Sequence, residues 1–351
     1  MMGALQSLTD RLLGRGRAAL TVPPMDGALK PNNRLEAAPA GIASAEPRAP
    51  ALYKGQVVWA SGQLVLSASG EVVAAQGVIT AMAVSPDGCM ALAVEGSGIT
   101  LDGAAVPALA QLSCVTALAF EGATTLWIAV GSTVHPLSAW SRDFLEMRRS
   151  GQVWRYDLGR QQLSRVADRL GFPFGLWPTA QGLVVSESWE RRLVRLDAAG
   201  KARTVADNLP GYPAGLCPAA GGGAWLAVFA PCNPLLELVL REPEYRRAMM
   251  AEVDPAYWIA PALRSGHSFL EPMQGGALKQ MGILKPWAPT LSYGLVVKLS
   301  AEFSPQQSLH SRAGGKRHGI TAVLEHDACL WAASTGGDEV LCLDASAEDG
   351  E

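Results

Sequence analysis

The stretch from Gly151 to Ser188, GQVWRYDLGRQQLSRVADRLGFPFGLWPTAQGLVVSES, is followed by a second copy of its pattern, RRLVRLDAAGKARTVADNLPGYPAGLCPAAGGGAWLAVF, which begins at Arg191. The two segments align without a gap. Phe172 aligns with Tyr212, and every aligned pair lies 40 residues apart. A period of about 40 residues is typical of a β-propeller blade built from four strands. The sequence therefore predicts at least two consecutive blades.

A shorter pattern recurs outside these segments. Its copies are ITAMAV at Ile79, VTALAF at Val115 and ITAVLE at Ile320, and each is followed by a turn and a second apolar run. With the two longer units this makes five copies, and QVVWASG at Gln56 fits the later strands of a sixth. Blades that stack radially and close a ring bury both faces of every sheet. We therefore predict an all-β fold, a six-bladed β-propeller.

Two regions depart from the repeat. Residues 1–50 are predicted to be an irregular or helical lead-in, with Leu5, Leu8, Leu12 and Leu13 on one face of a short helix, and residues 51–346 form the predicted propeller. Residues from about 233 to 262 have a helical pattern and are predicted to be an insertion. The insertion either covers the central pocket as a lid or serves only as a packing element.

Composition narrows the classes of function. The net charge of −3 gives no reason to expect a nucleic-acid partner. No apolar run is long enough to span a bilayer and no signal peptide is evident, so a cytoplasmic location is expected. The six cysteines have no metal-binding spacing, and we expect buried free thiols in a reducing compartment. They are Cys89, Cys114, Cys217, Cys232, Cys329 and Cys342.

From about Asp143 to Asp344 the chain resembles the strictosidine synthase-like family, which includes the adipocyte plasma membrane-associated proteins. The segments that carry the resemblance are FLEMRRSGQVWRYD, ADNLPGYPAGL, NPLLELVLREPEYRRAMM, YGLVVKLS and HGITAVLEHDACLWAAS. A wider similarity reaches the gluconolactonase and senescence marker protein propellers. The resemblance implies a ligand pocket on the propeller axis, at a mouth formed by inner strands and loops.

Three residues are the candidates for acid–base chemistry. Glu325 matches the position that the resemblance implies to be the catalytic glutamate, and desolvation in an axial pocket would suit it to proton transfer. His318, on the loop that enters the same strand, is a candidate oxyanion donor or proton shuttle. Glu187 is a candidate inward carboxylate that binds a cation or an amine. For each residue a purely structural hydrogen bond or ion pair is the alternative.

The calcium ligands that the wider resemblance implies are replaced in this chain. Phe174 stands where those relatives have an asparagine, and Ala214 and Gly215 stand where they have an acid and an amide. Because calcium requires six to eight oxygen ligands, we expect no metal cofactor. Phe174, Tyr212 and Trp177 would instead line a pocket for a small hydrophobic molecule. The alternative is that these rings fill an ordinary core.

These observations leave two hypotheses for function. The first is a metal-independent enzyme that acts on a small hydrophobic molecule in the axial pocket, by ester or lactone hydrolysis or by condensation of an amine with an aldehyde. The second is a non-catalytic propeller that binds a small molecule or a protein partner. The sequence contains no G-x-S-x-G nucleophile motif, so whether the chain is an enzyme stays open.

Overall fold

The computed structural model describes residues 22–268, 270–272, 279–280, 283–284 and 291–345. Within them, six four-stranded antiparallel sheets form the blades of a propeller. The innermost strands of the six blades contact one another in chain order, and the innermost strand of the last blade contacts that of the first. The prediction of an all-β, six-bladed propeller is confirmed.

The strands follow one another from the axis outward within each blade. Blade 1 comprises β2 Arg48–Tyr53, β3 Gln56–Ser61, β4 Leu64–Ser67 and β5 Gly70–Ala74. Blade 2 comprises β6 Ile79–Val84, β7 Met90–Val94, β8 Gly98–Leu101 and β9 Ala104–Ala105. Blade 3 comprises β10 Val115–Glu121, β11 Thr125–Val130, β12 Gly151–Asp157 and β13 Gln162–Leu170.

Each of the two 40-residue repeats contains the outer strands of one blade and the inner strands of the next. Neither repeat therefore coincides with a single blade. Blade 4 comprises β14 Pro173–Thr179, β15 Gly182–Glu187, β16 Arg192–Leu196 and β17 Ala202–Ala206. Blade 5 comprises β18 Gly211–Pro218, β19 Ala224–Pro231, β22 Gly294–Leu299 and β23 Pro305–Ser311. Blade 6 comprises β24 Ile320–His326, β25 Cys329–Ser334, β26 Glu339–Asp344 and β1 Ile42–Ala43.

The predicted helical insertion lies between β19 and β22 of blade 5. Its helices are α3 Pro234–Arg241 and α4 Pro243–Glu252, followed by a 3₁₀ turn at Pro255–Tyr257 and a hairpin of β20 Lys279–Gln280 and β21 Ile283–Leu284. The side chain of Asn233 accepts a hydrogen bond from the Leu236 amide at 3.0 Å, and Pro234 occupies the first turn. These are favoured residues for a helix start. The insertion is confirmed.

Short helical segments account for the other irregular connections. They are α1 Arg34–Ala37, α2 Trp140–Leu145 and 3₁₀ turns at Gly27–Leu29, Pro107–Leu109 and Leu137–Ala139. In the part of the chain that the structure describes, no helix is long and apolar enough to cross a membrane.

Both ends of the described chain build the last blade. Ile42 of β1 pairs with Val340 of β26, so the N-terminal segment supplies the outermost strand of blade 6. Arg317 fixes this segment, because its guanidinium donates hydrogen bonds to the carbonyls of Leu35, Ala38 and Pro39. Propeller strands thus begin before residue 51, earlier than the expected boundary of the lead-in. The helix predicted around Leu5 to Leu13 lies outside the described residues.

The prediction that all six cysteines are free is wrong for one pair. Cys329 on β25 and Cys342 on β26 form a disulfide, with their Cα atoms 5.7 Å apart. Cys342 pairs with Trp331, two residues from Cys329, so the two side chains share one face of the sheet. Sequence spacing alone did not reveal this pairing because it depends on strand register. Cys89, Cys114, Cys217 and Cys232 are free.

Candidate functional site

An axial cavity of about 110 Å³ is lined by residues of all six inner strands. Each inner strand carries a small residue at the same level, next to a register shift of its ladder. These small residues are Ala49, Ala81, Ala117, Gly175, Gly215 and Ala322. A Cβ atom at Gly175 would collide with the Ala214 carbonyl of the next blade. The narrow centre of the ring therefore requires small side chains.

An aromatic cluster adjoins this cavity at the end where the inner strands begin. Its members are Trp140, Phe144, Phe172, Phe174, Trp189, Tyr212 and Phe229. The Phe172 ring stacks on Trp189 with centroids 4.4 Å apart, and Phe174 stacks on Phe229 at 5.8 Å. Phe174 belongs to both the cluster and the cavity wall. The entry to the cavity is therefore apolar and aromatic.

The helical insertion packs onto the aromatic cluster. Leu236 and Val239 of α3, Met249 of α4 and Trp258 lie in the same buried core as Phe229. The Trp258 ring also receives the Arg142 guanidinium of α2 at 5.2 Å. The insertion thus packs against this end of the propeller and contributes to its core.

Two buried oxygen atoms beside the aromatic cluster have no hydrogen-bond partner among the described residues. They are Oδ2 of Asp143 and the hydroxyl of Tyr212. The other oxygen of Asp143 accepts a hydrogen bond from the Trp189 indole at 2.8 Å. Burial raises the pKa of Asp143, although the hydroxyl of Ser132 and the indole of Trp189 oppose this shift, and burial raises the pKa of Tyr212 well above its usual value. Such groups are uncommon in folded proteins and call for a structural or functional reason.

The structure places Glu325 away from the entry of the cavity. It lies near the far end of β24, about 16 Å from Ile320 at roughly 3.3 Å per residue. Its Oε2 accepts hydrogen bonds from the Trp225 indole at 2.8 Å and from the Ala220 amide at 2.9 Å, both in the neighbouring blade. This is the structural alternative considered for Glu325, and the residue does not line the axial cavity.

Glu187 is 1% exposed at the end of β15. Its carboxylate accepts hydrogen bonds from the Gly171 amide at 2.7 Å and from Nε of Arg192 at 2.7 Å. Both carboxylate oxygens are thus used to hold the strand ends together. The arrangement matches the stabilising ion pair considered for Glu187.

His318 is buried beside the entry end of β24, with a ring that bonds at both nitrogens. Nε2 contacts the Arg312 carbonyl at 2.9 Å, and Nδ1 contacts the Ser292 hydroxyl at 2.8 Å. Desolvation lowers the pKa of His318, although the Arg312 carbonyl and the charge of Glu36 oppose this. His318 is therefore neutral at neutral pH. The structure does not bring it together with Glu187 or Glu325 in a single hydrogen-bonded group.

The three predicted pocket residues have different positions. Phe174 lines the axial cavity, and Tyr212 lies 1% exposed within the aromatic cluster. Trp177 packs against Phe303 with centroids 6.2 Å apart, in the core between blades 4 and 5. Trp177 is not among the residues that line the cavity, since it lies farther along β14.

The positions expected to hold calcium carry no oxygen-bearing side chain. Phe174 and Gly175 of β14 face Ala214 and Gly215 of β18 across the blade boundary. Over the described ranges, no group of three or more His, Cys, Asp or Glu side chains is placed to hold a metal ion. The geometry at this level of the axis suits apolar groups.

The chain has distant relatives among proteins of known sequence. No family model matches the chain. The adipocyte plasma membrane-associated protein of Salmo salar is 25% identical over 224 residues, which cover 60% of this chain and 47% of that protein. This chain is distantly similar to the adipocyte plasma membrane-associated proteins. It spans about half the length of the curated relatives it matches.

Solved structures agree with the fold. A gluconolactonase from Xanthomonas campestris has a TM-score of 0.51 and 16% identity, with 86% of each chain covered. A luciferin-regenerating enzyme has a TM-score of 0.53 and 12% identity, covering 88% of this chain and 90% of its own. These similarities establish the propeller architecture.

Sequence analysis missed three features of this end of the propeller. Asp143 stands among charged residues in WSRDFLEMRR, residues 140–149, so the sequence does not distinguish it from an exposed carboxylate. Arg48 lines the cavity because β2 begins earlier than expected. The contact of Ser292 with His318 joins residues 26 positions apart on different elements, and no sequence pattern announces it.

Proposed function

We propose that this chain is a hydrolase that acts without a metal on an ester or lactone of a small hydrophobic molecule. The molecule binds where the aromatic cluster meets the axial cavity. The observation that supports this proposal is the pair of unpartnered buried oxygens, on Asp143 and Tyr212, beside an otherwise apolar site. Ligand sites in proteins are mostly apolar, with a few polar groups that orient the ligand.

Energetic cost supports a ligand-binding role for these oxygens. A buried polar atom without a partner costs about 1–3 kcal/mol. Two such atoms border one cluster, and both belong to residues that contact Trp189. The Asp143 oxygen would be satisfied by a ligand donor, and the Tyr212 hydroxyl by a ligand acceptor.

The size of the cavity limits the ligand. An engineered cavity of roughly 150 Å³ accommodates benzene, and the axial cavity measures about 110 Å³. One small ring or a short acyl chain therefore fits between Phe174 and the ring of alanines and glycines. Larger parts of the substrate would lie toward the insertion.

Hydrolysis is preferred over condensation of an amine with an aldehyde. The condensation was expected to depend on Glu325, whose carboxylate is bound to Trp225 and Ala220. Support for hydrolysis comes from the solved relative described as a gluconolactonase. Support for the absence of a metal comes from Phe174, Ala214 and Gly215 at the expected ligand positions.

The test uses the full chain with aryl esters of short acids and with lactones. Turnover is expected to persist in EDTA, and Ala117→Leu, which projects into the cavity, is expected to raise KM several-fold. Ala198→Leu, at an exposed turn, is the matched control. Loss of turnover in EDTA would refute the metal-free mechanism. An unchanged KM in Ala117→Leu would place the substrate elsewhere.

The second candidate is a non-catalytic propeller that binds the same kind of small molecule. The engagement of Glu187 and Glu325 in structural hydrogen bonds favours it, because neither carboxylate faces the cavity. Saturable quenching of the fluorescence of the clustered tryptophans by aryl ligands, with no turnover of any bound ester, would support this candidate over the hydrolase.

A further inference from the structure

Ser265, Ser292 and His318 form a hydrogen-bonded relay at the entry end of blade 6. Ser265, which follows the helical part of the insertion, lies 2.5 Å from the Ser292 hydroxyl, and Ser292 lies 2.8 Å from Nδ1 of His318. Ser292 is completely buried, whereas Ser265 is partly exposed. Ser265 thus carries the hydroxyl that a solute can reach.

The direction of these hydrogen bonds follows from the Arg312 carbonyl. A carbonyl only accepts, so Nε2 of His318 carries the proton and donates it at 2.9 Å. Nδ1 of the neutral ring then bears a lone pair and accepts from Ser292. The oxygen of Ser292 is left to accept from Ser265. Each hydroxyl donates toward the histidine, which is the arrangement of a base that activates a serine.

Backbone amides next to Ser265 form an anion site. The amides of Gly266, His267 and Ser268 donate to the carboxylate of Glu271 at 2.7, 2.9 and 2.9 Å. Three consecutive amides that converge on one carboxylate form the kind of concavity that binds negative charge. An oxyanion on an ester bound to Ser265 would use these donors only by displacing the Glu271 carboxylate that now occupies them.

The segment that carries Ser265 is tied to blade 6. Arg264 donates to the Thr335 carbonyl at 3.1 Å, and the Thr335 hydroxyl lies 2.5 Å from that of Thr321, which lines the cavity. On the other side, Ala260 packs in the same core as the aromatic cluster, five residues before Ser265. Ser265 therefore lies on the part of the insertion that is held against blade 6.

We infer that Ser265 is the nucleophile of an acyl-transfer reaction, activated through Ser292 by His318. The inference rests on the proposed hydrolase function and names the residue that performs it. Oγ of Ser265 bonds to the carbonyl carbon while its proton moves to Ser292 and the Ser292 proton moves to Nδ1 of His318. The bond to the alkoxy group then breaks, and the proton returns to that leaving group. Water then attacks the acyl carbon while its proton passes to His318. That proton returns to Oγ of Ser265 as the acid leaves.

A fluorophosphonate probe tests this inference independently of the natural substrate, since it labels activated serines. We expect one adduct, located on Ser265 by peptide mass spectrometry. Ser265→Ala is expected to reduce the labelling rate by at least about 100-fold. Ser138→Ala, at an exposed serine of the 3₁₀ turn Leu137–Ala139, is the control that should label like the unchanged protein. Unchanged melting temperatures would show that both variants fold.

The outcomes separate this inference from the proposed function. Ester turnover that survives in Ser265→Ala would overturn the nucleophile and leave the hydrolase intact. Absence of both labelling and turnover would overturn both. Labelling of Ser265 without turnover of the tested esters would support the nucleophile and refute the substrate class. Ser265→Cys retains a nucleophile at this position. Its new thiol is expected to react with iodoacetamide faster than the thiol of Ser138→Cys.

Discussion

The indole nitrogen of Trp225 lies 2.8 Å from Oε2 of Glu325, so a carboxylate at the end of one inner strand is bound to the second strand of the neighbouring blade. The Ala220 amide shares the same oxygen. Trp225 is 1% exposed, and its only polar atom therefore needs this partner. The pair joins blades 5 and 6 on the side of the propeller opposite the aromatic cluster.

Glu325→Gln is expected to lower stability without lowering the maximal rate of any hydrolysis. Replacing the charged acceptor weakens two hydrogen bonds, at a cost of about 1–2 kcal/mol. Denaturant unfolding measures the loss, with Glu71→Gln, an exposed strand residue, as the control. A large fall in kcat with unchanged stability would return Glu325 to the catalytic group.

Removal of Glu187 should be more costly. Glu187→Ala leaves the Gly171 amide and the Arg192 guanidinium without their acceptor, and we expect a loss of about 2–4 kcal/mol. The exposed pair of Glu244 with Arg247 provides the comparison, since Glu244→Ala should cost less than about 1 kcal/mol. Equal losses in the two variants would contradict the structural role of Glu187.

Tyr212→Phe is expected to keep or increase stability, by up to about 1 kcal/mol, because it removes a buried hydroxyl that has no partner in the described structure. The same variant should weaken the binding of a ligand that hydrogen-bonds to that hydroxyl. Thermal unfolding and fluorescence titration measure the two effects. A clear loss of stability would indicate that the hydroxyl has a partner in the free protein.

Asp143→Asn is expected to stabilise the protein at neutral pH. The pKa of Asp143 is raised in the folded state, so ionisation of this carboxyl disfavours folding, and stability falls as pH rises from the unfolded pKa to the folded one. The increase in unfolding free energy of Asp143→Asn should therefore reach its full value above the raised pKa and vanish below about pH 4. Unfolding free energies measured between pH 3 and 8 would test this, and a gain independent of pH would contradict it.

Because Cys329 and Cys342 form a disulfide, we expect the stability of the protein to fall under reducing conditions. The two cysteines lie 13 residues apart, and closing a loop of this size contributes about 3 kcal/mol in the chain-entropy description. Cys329→Ser with Cys342→Ser should lose that stability in oxidising buffer and match the reduced protein. The unfolded, unreduced chain should show four titratable thiols. Six thiols would show that the bond does not form.

Much of the fold was predictable because blades repeat. The pattern of an apolar strand, a turn and another apolar strand was visible at Ile79, Val115 and Ile320, where the inner strands begin. The first blade was harder, since its inner strand RAPALY contains Arg48 and Pro50 and lacks a continuous apolar run. The closing strand at Ile42–Ala43 is too short to give any periodic signal.

The candidate site was less predictable for a physical reason. Glu325 was selected by its position in a motif, but its partner Trp225 lies 100 residues away, and the direction of its side chain depends on strand register. Phe174 lines the axial cavity, and its position in a repeated turn of the sequence indicated that level of the axis. The grouping of Ser265, Ser292 and His318 depends on how the insertion returns to blade 5.

The pairing of β1 with β26 also has a consequence for biosynthesis. Gly41 and Glu339, which meet beside this pairing, lie 298 residues apart. A ribosome adding about 5–20 residues per second needs on the order of 15–60 s to cover that distance. β1 must therefore wait without its partner until β26 has been synthesised. A nascent chain of this protein can stack its early blades, but the ring closes only after the strands of blade 6 have emerged.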